Sequence, residues 1–166
     1  MPIRAMPPLV PPDPPLQVVL VSPQIPQNTG NVARTCAVTG SRLHLVGPLG
    51  FSLEEKRLRR AGLDYWEDLS SEVYDAWPDF EARALHGQIG KLHLFGARAE
   101  RSLFDVPFRP GDFLVFGSEQ AGLPPALVAA WPSRCLSIPM KEGQRSLNLA
   151  TAVGIGLYQA IRSVSR

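Results

Sequence analysis

From residue 16 onward, short apolar runs alternate with longer amphipathic and polar stretches. The runs at 18–21, 43–46, 92–95, 113–116 and 135–138 lack the apolar/polar alternation of a half-exposed strand. They read instead as strands buried on both faces. Helix-like stretches fall near 30–40, 53–61, 71–85, 124–130 and 146–162, the last being the longest. Strands alternating with helices predict an α/β domain built on a mostly parallel sheet. Turn signals mark the strand ends: Asn28-Thr29-Gly30-Asn31, Gly47-Pro48, Gly117-Ser118 and Gly122-Leu123-Pro124. In such sheets, ligands bind beyond the carboxyl ends of the strands.

The first fifteen residues break this pattern with seven prolines. Proline fixes φ and lacks an amide donor, so this stretch is expected to be an extended or mobile tail. Residues 16–166 are expected to form one domain. Composition agrees with a folded core: 45% of residues are hydrophobic and 19% charged, neither disordered nor membrane-like. No apolar run approaches the roughly 20 residues that span a bilayer, and prolines interrupt any signal-peptide core. The reading is a cytoplasmic protein.

A net charge of +2 does not itself point to nucleic acid. Lys56, Arg57, Arg59 and Arg60, within five residues, could contact phosphates or form a solvated helix face. Cys36 and Cys135 are distant and lack metal-ligand spacing with His44, His86 or His93, so they read as buried free thiols and no metal is expected.

Three segments that follow strands could carry chemistry. In the first, residues 23–34, Asn28, Thr29 or Asn31 could cap a helix whose amino end and Arg34 favour an anion. The alternative is a capping loop with an Arg salt bridge. The second runs from Gly117 to Pro124. Its glycines allow close approach to the backbone, and Glu119 is a candidate partner for a ribose or an ammonium group. It also reads as an ordinary strand-to-helix turn. The third runs from Ile138-Pro139-Met140 to Arg145-Ser146-Leu147-Asn148, where Ser146 or Asn148 could cap the last helix or meet a ligand. Gly154 and Gly156 inside that helix cost about 1 kcal/mol each relative to Ala, which suggests close packing. Gln159 spoils a GxGxxG reading of the pair.

Taken in order, four motifs resemble the SPOUT methyltransferase superfamily and, within it, small tRNA 2′-O-ribose methyltransferases of the TrmL/YibK kind. They are Ile25-Pro26-Gln27-Asn28-Thr29-Gly30-Asn31-Val32-Ala33-Arg34, Lys56-Arg57-Leu58-Arg59-Arg60-Ala61-Gly62-Leu63-Asp64-Tyr65, Phe116-Gly117-Ser118-Glu119 with Gly122-Leu123-Pro124, and Ile138-Pro139-Met140 with Arg145-Ser146-Leu147-Asn148-Leu149. The resemblance covers residues 16–162. It implies a Rossmann-like SPOUT fold with a C-terminal trefoil knot, a rare exception to general topology. It also implies S-adenosylmethionine as cofactor, a homodimer, and methylation of the wobble nucleotide, cytidine or modified uridine at position 34, of tRNA-Leu.

By the same resemblance Arg34 has the main catalytic role, with Asn28, Asn31, Glu119, Arg145, Ser146 and Asn148 around it. The cofactor would meet Phe95, Gly117, Ile138, Ser146 and Leu147. Lys56, Arg57, Arg59 and Arg60 would hold RNA. The chain departs from the pattern at Phe95, where the family more often has an aliphatic residue, and at Tyr158-Gln159 in place of Tyr-Glu. Arginine stays protonated in proteins, so Arg34 reads better as a phosphate fork than as a base. Two other readings stay open: methylation at another tRNA or ribosomal RNA position, and a non-catalytic RNA-binding module of the same fold.

Overall fold

Short, largely apolar runs build most of a six-stranded sheet in the computed structural model, which describes residues 7–54 and 69–165. The strands are β1 (Gln17–Val21), β2 (Arg42–Val46), β3 (Ser71–Tyr74), β4 (Leu92–Phe95), β5 (Phe113–Phe116) and β6 (Cys135–Leu136). All pair in parallel, in the order β3-β2-β1-β5-β4-β6. Val18 lies opposite both Leu43 and Leu114, so β1 is central. The chain builds outward from β1 in one direction and returns across it to build the other half. The topological switch therefore falls between β1 and β5.

Successive side chains in these runs enter different cores, as the two-residue period of a strand demands. Val18, Leu20, Leu114 and Phe116 face one layer, and Val19, Val21, Phe113 and Val115 face the other. The first layer is covered by α1 (Pro26–Thr39) and α4 (Leu149–Val164), together with Leu103, Val106 and Phe108 of the β4–β5 crossover. The second is covered by α2 (Trp77–Phe80), extended by a π turn over Glu81–Leu85, and by α3 (Pro125–Ala130). Each fully buried Leu, Val or Phe contributes about 1.5–3 kcal/mol, so both layers are needed to hold the sheet.

Several expectations are corrected. Residues 71–74 form edge strand β3 rather than the start of a helix over 71–85. Glu72 and Val73 are exposed there, and an edge strand needs no apolar run. Helix α1 starts at Pro26, four residues earlier than expected. Pro suits a first helical position because its missing amide would have no partner there. Strand β6 ends at Leu136, because Ser137 leaves the sheet to pair with the crossover. Pro124 precedes α3 as its cap residue, and Pro125 opens the helix. Leu53 and Glu54 are not helical, and the rest of the 53–61 stretch lies outside the described residues.

The described part of the proline tail has neither helix nor strand, but it lies against the fold. Pro11 sits where a Cβ on Gly40 would be, with Cγ 2.7 Å away, and Pro14 takes the same place over Gly111 at 3.0 Å. Gly40 ends α1 with φ 69°, a conformation that favours glycine. Cys36 is buried, and burial pushes its thiol up to about 12. Cys135 is only half-buried, against the expectation. Gly156 packs closely as expected, whereas Gly154 has open space around it. No helix among the described residues is long and apolar enough to cross a membrane.

Candidate active site

Three segments remote in sequence meet beyond the carboxyl ends of β1 and β5. Helix α1 has no cap of its own: Ile25 occupies the cap position and has no polar side chain. Glu119, from the loop after β5, binds the backbone that leads into the helix. Its Oε2 accepts from Gln24 N at 2.8 Å, and its Oε1 accepts from Ile25 N at 3.0 Å and Asn28 Nδ2 at 3.4 Å. A carboxylate at a helix amino terminus also complements the macrodipole. Asn28 Oδ1 in turn accepts from Asn148 Nδ2 at 3.0 Å, and Asn148 Oδ1 caps α4 by accepting from Thr151 N at 3.2 Å.

Asn28, Glu119 and Asn148 therefore form one network that fastens the entry to α1 to the capped start of α4. Asn28 and Asn148 were expected in the site, and the cap of α4 is Asn148 rather than Ser146. None of Asn28, Thr29 or Asn31 caps α1. Both oxygens of Glu119, the candidate partner for a ribose or an ammonium group, accept hydrogen bonds from the protein.

Asn31 and Arg34 stand one turn apart on α1, both exposed. Thr35 Oγ1 donates to Asn31 O at 3.1 Å, so the helix backbone is continuous through the pair. Arg145, Ser146 and Leu147 lie in the exposed loop that precedes Asn148. The loop after β5 is closed by mutual backbone bonds between Ser118 and Gly122. A side chain on Gly117 would overlap the Gly122 and Leu123 backbone, so Gly117 allows this closure.

Next to the network is a cleft of about 110 Å³. Phe95, Gly96 and Ala97 form one side at the end of β4, while Ile138, Met140, Ser146 and Leu147 of the C-terminal loop form the other. Four of the five expected cofactor residues line it, and Gly117 does not. Gly96, Ala97 and Met140 were missed. The first two follow directly from the rule that ligands bind beyond strand carboxyl ends. The cleft is apolar except for Ser146 and nearby backbone. Such a lining suits a flat nucleoside base gripped by apolar walls and loop amides. Lys56, Arg57, Arg59 and Arg60 lie outside the described residues. Among the described residues, no three His, Cys, Asp or Glu side chains gather as a metal site.

The model of the SpoU rRNA Methylase family matches residues 15–158. The chain belongs to that family. Among its relatives, the tRNA (cytidine(34)-2'-O)-methyltransferase of Burkholderia pseudomallei is 47% identical over 146 residues, covering 87% of this chain and 93% of that protein. A solved structure concerned with the 2-OH methylation of C/U34 on tRNA superposes with a TM-score of 0.80 at 46% identity, covering 89% of this chain and 95% of the other. The AdoMet-bound rRNA methyltransferase of Sinorhizobium meliloti gives 0.71 at 26% identity, covering 89% of this chain and 56% of that one.

Proposed function

We propose that this SpoU-family protein transfers a methyl group from S-adenosylmethionine to the ribose 2′-hydroxyl of nucleotide 34, a cytidine or modified uridine, in tRNA-Leu. The relatives named for cytidine 34 support the reaction and the position. The structural observation that carries it is the Glu119–Asn28–Asn148 network. It ties the helix bearing Asn31 and Arg34 to the loop bearing Ser146 and Leu147. A methyl-acceptor side and a cofactor side are thereby held in fixed relation, as group transfer requires.

The cleft walls around Phe95, Ile138, Ser146 and Leu147 would hold the cofactor, whose sulfonium would supply an electrophilic methyl. Arg34 stays protonated and grips a phosphate of the target nucleotide with its forked guanidinium. The bond between the 2′-oxygen and the methyl carbon forms as the carbon–sulfur bond breaks. The hydroxyl proton passes to the phosphate oxygen that Arg34 aligns, or to water, and the nearby positive charge stabilises the developing alkoxide. Asn31, Arg145 and Ser146 border the reacting groups, and Lys56, Arg57, Arg59 and Arg60 contact RNA phosphates.

The finer features of the fold belong to the same reading. We infer a C-terminal trefoil knot from the path after β6. Ser137 N donates to Arg101 O and Leu103 N donates to Ser137 O, both at 2.8 Å, and α4 then packs beside the same crossover. A homodimer is supported by the outward apolar surface of the packed helices, with Val38 of α1 and Ile155 and Tyr158 of α4 exposed. Residues 16–166 form the methyltransferase domain behind the proline tail, working in the cytoplasm.

Transfer of labelled methyl to unmodified tRNA-Leu transcripts, with the product nucleotide mapped by mass spectrometry, tests this reading. A 2′-O-methyl at nucleotide 34 is expected. Methyl at another tRNA or ribosomal nucleotide would move the substrate, and cofactor binding without transfer to any RNA would favour a binding module.

A further inference from the structure

The aromatic wall of the cleft rests against a glycine. Phe95 closes β4, lines the cleft and stacks on Phe116, with ring centroids 4.3 Å apart and planes inclined by 19°. Its ring edge meets Gly156 of α4. A Cβ on Gly156 would lie 3.0 Å from Phe95 Cε1 and Cζ and 3.3 Å from Phe116 Cζ. Contacts that short force a ring to move. Phe116 is buried behind Phe95 in a close-packed layer, so retreat in that direction is blocked. The cleft is the open volume on the remaining side. Gly154, one half-turn earlier, has nothing within 4 Å of the place a Cβ would take, so tight packing is particular to 156. Glycine is the least favourable residue but proline in a helix interior, and the Phe95 ring gives position 156 a reason for it.

Building on the assignment of this cleft to S-adenosylmethionine, we infer that Gly156 is a positioning residue for cofactor binding. Having no side chain, it lets Phe95 stay withdrawn on Phe116. The Phe95–Gly156 pair thereby sets the width of the cleft and presents an aromatic wall to the planar base of the cofactor. Aromatic rings pair with flat heteroaromatics in offset or edge-on geometry, so displacing the ring costs both shape and contact.

The test is a double-mutant cycle on the full chain, read by calorimetric binding of S-adenosylmethionine and by methyl transfer to tRNA. Gly156→Val is expected to raise Kd and KM for the cofactor about tenfold, with kcat at saturation within about twofold of the parent, because it overpacks the ring into the cleft. Phe95→Leu alone weakens binding about threefold by removing the aromatic wall. Phe95→Leu/Gly156→Val is expected to bind within about threefold of the parent, a rescue that independent sites would not show. Gly156→Ala and its pairing with Phe95→Leu carry the same comparison if the valine variant does not fold. Additive single effects, or a loss confined to kcat, would overturn the pairing while leaving the cofactor reading intact. A parent protein that binds no S-adenosylmethionine would overturn that reading itself.

Discussion

Two of the polar networks among the described residues differ in where their groups face. Glu119, Asn28 and Asn148 lie beyond the strand ends, tie together loops, and leave neighbouring Asn31, Arg34 and Arg145 exposed. The other network runs from buried His44 and Tyr74 out to Glu72 at the sheet edge. His44 Nδ1 lies 3.0 Å from Tyr74 Oη and its Nε2 lies 2.8 Å from Gln17 Oε1, while Tyr74 Oη donates to Glu72 at 2.9 Å. The His44 ring is surrounded by Tyr74, Phe80 and Phe113. Both networks join distant segments, and the first ends at Asn148, next to cleft residues Ser146 and Leu147. The difference separates polar groups that fasten loops and helix ends beyond the strands from those that join strands.

The sharpest division between the two comes from Arg34, beside the first network. Arg34→Lys keeps the charge and loses the fork, so kcat should fall between about a hundred- and a thousand-fold with cofactor Kd unchanged. Unchanged turnover in steady-state assays would remove Arg34 from the mechanism. His44 should behave oppositely. Burial, with a smaller push from Arg42 and against a pull from Glu72, lowers its pKa to about 4. The unfolded chain, titrating near the ordinary 6.5, binds more protons between those values, so stability falls as pH drops through that window. The loss at pH 4 should be on the order of 3 kcal/mol, measured by denaturant unfolding. His44→Gln should flatten that slope and leave kcat near the parent value. A slope that survives the substitution would assign it to other groups.

Glu119 sharpens the comparison from the other side. Glu119→Gln presents an amide donor to the Gln24 and Ile25 amides, leaving one of them unpaired at a cost of about 1–3 kcal/mol. Turnover should fall about tenfold, about 1.4 kcal/mol, through a displaced α1, with Arg34→Lys/Glu119→Gln less than additive. Full additivity would place Glu119 outside the positioning of Arg34. The smallest effect belongs far from both networks. Gly40→Ala should cost about 1–2 kcal/mol, from the left-handed backbone and the contact with Pro11, with no change in KM. A loss beyond that in thermal unfolding would mean that the tail carries more of the fold than two proline contacts.

Legibility in the sequence followed how local the cause was. Strands β1, β2, β4 and β5 were readable because burial on both faces demands mostly apolar residues, interrupted by buried His44 in β2 and His93 in β4. Strand β3 was not, since Glu72 and Val73 face outward at an edge. The start of α1 was hidden because it has no side-chain cap, and the amides leading into it bond Glu119 about ninety positions away. Asn28, Asn148 and the cleft residues Phe95, Ile138, Ser146 and Leu147 were named through family motifs, but the bonds among them depend on the folded chain. Gly156 announced a close approach without revealing that its partner is Phe95.

The span of those bonds bears on when activity can begin. Asn28 reaches Glu119 across 91 residues and Asn148 across 120. A chain still emerging from the ribosome can pair β1 with β2 long before either partner of Asn28 exists. Neither half of a cleaved chain contains the network, and contacts of such separation form late and slowly. The network is therefore complete only once Asn148 and the helix it caps have packed beside α1.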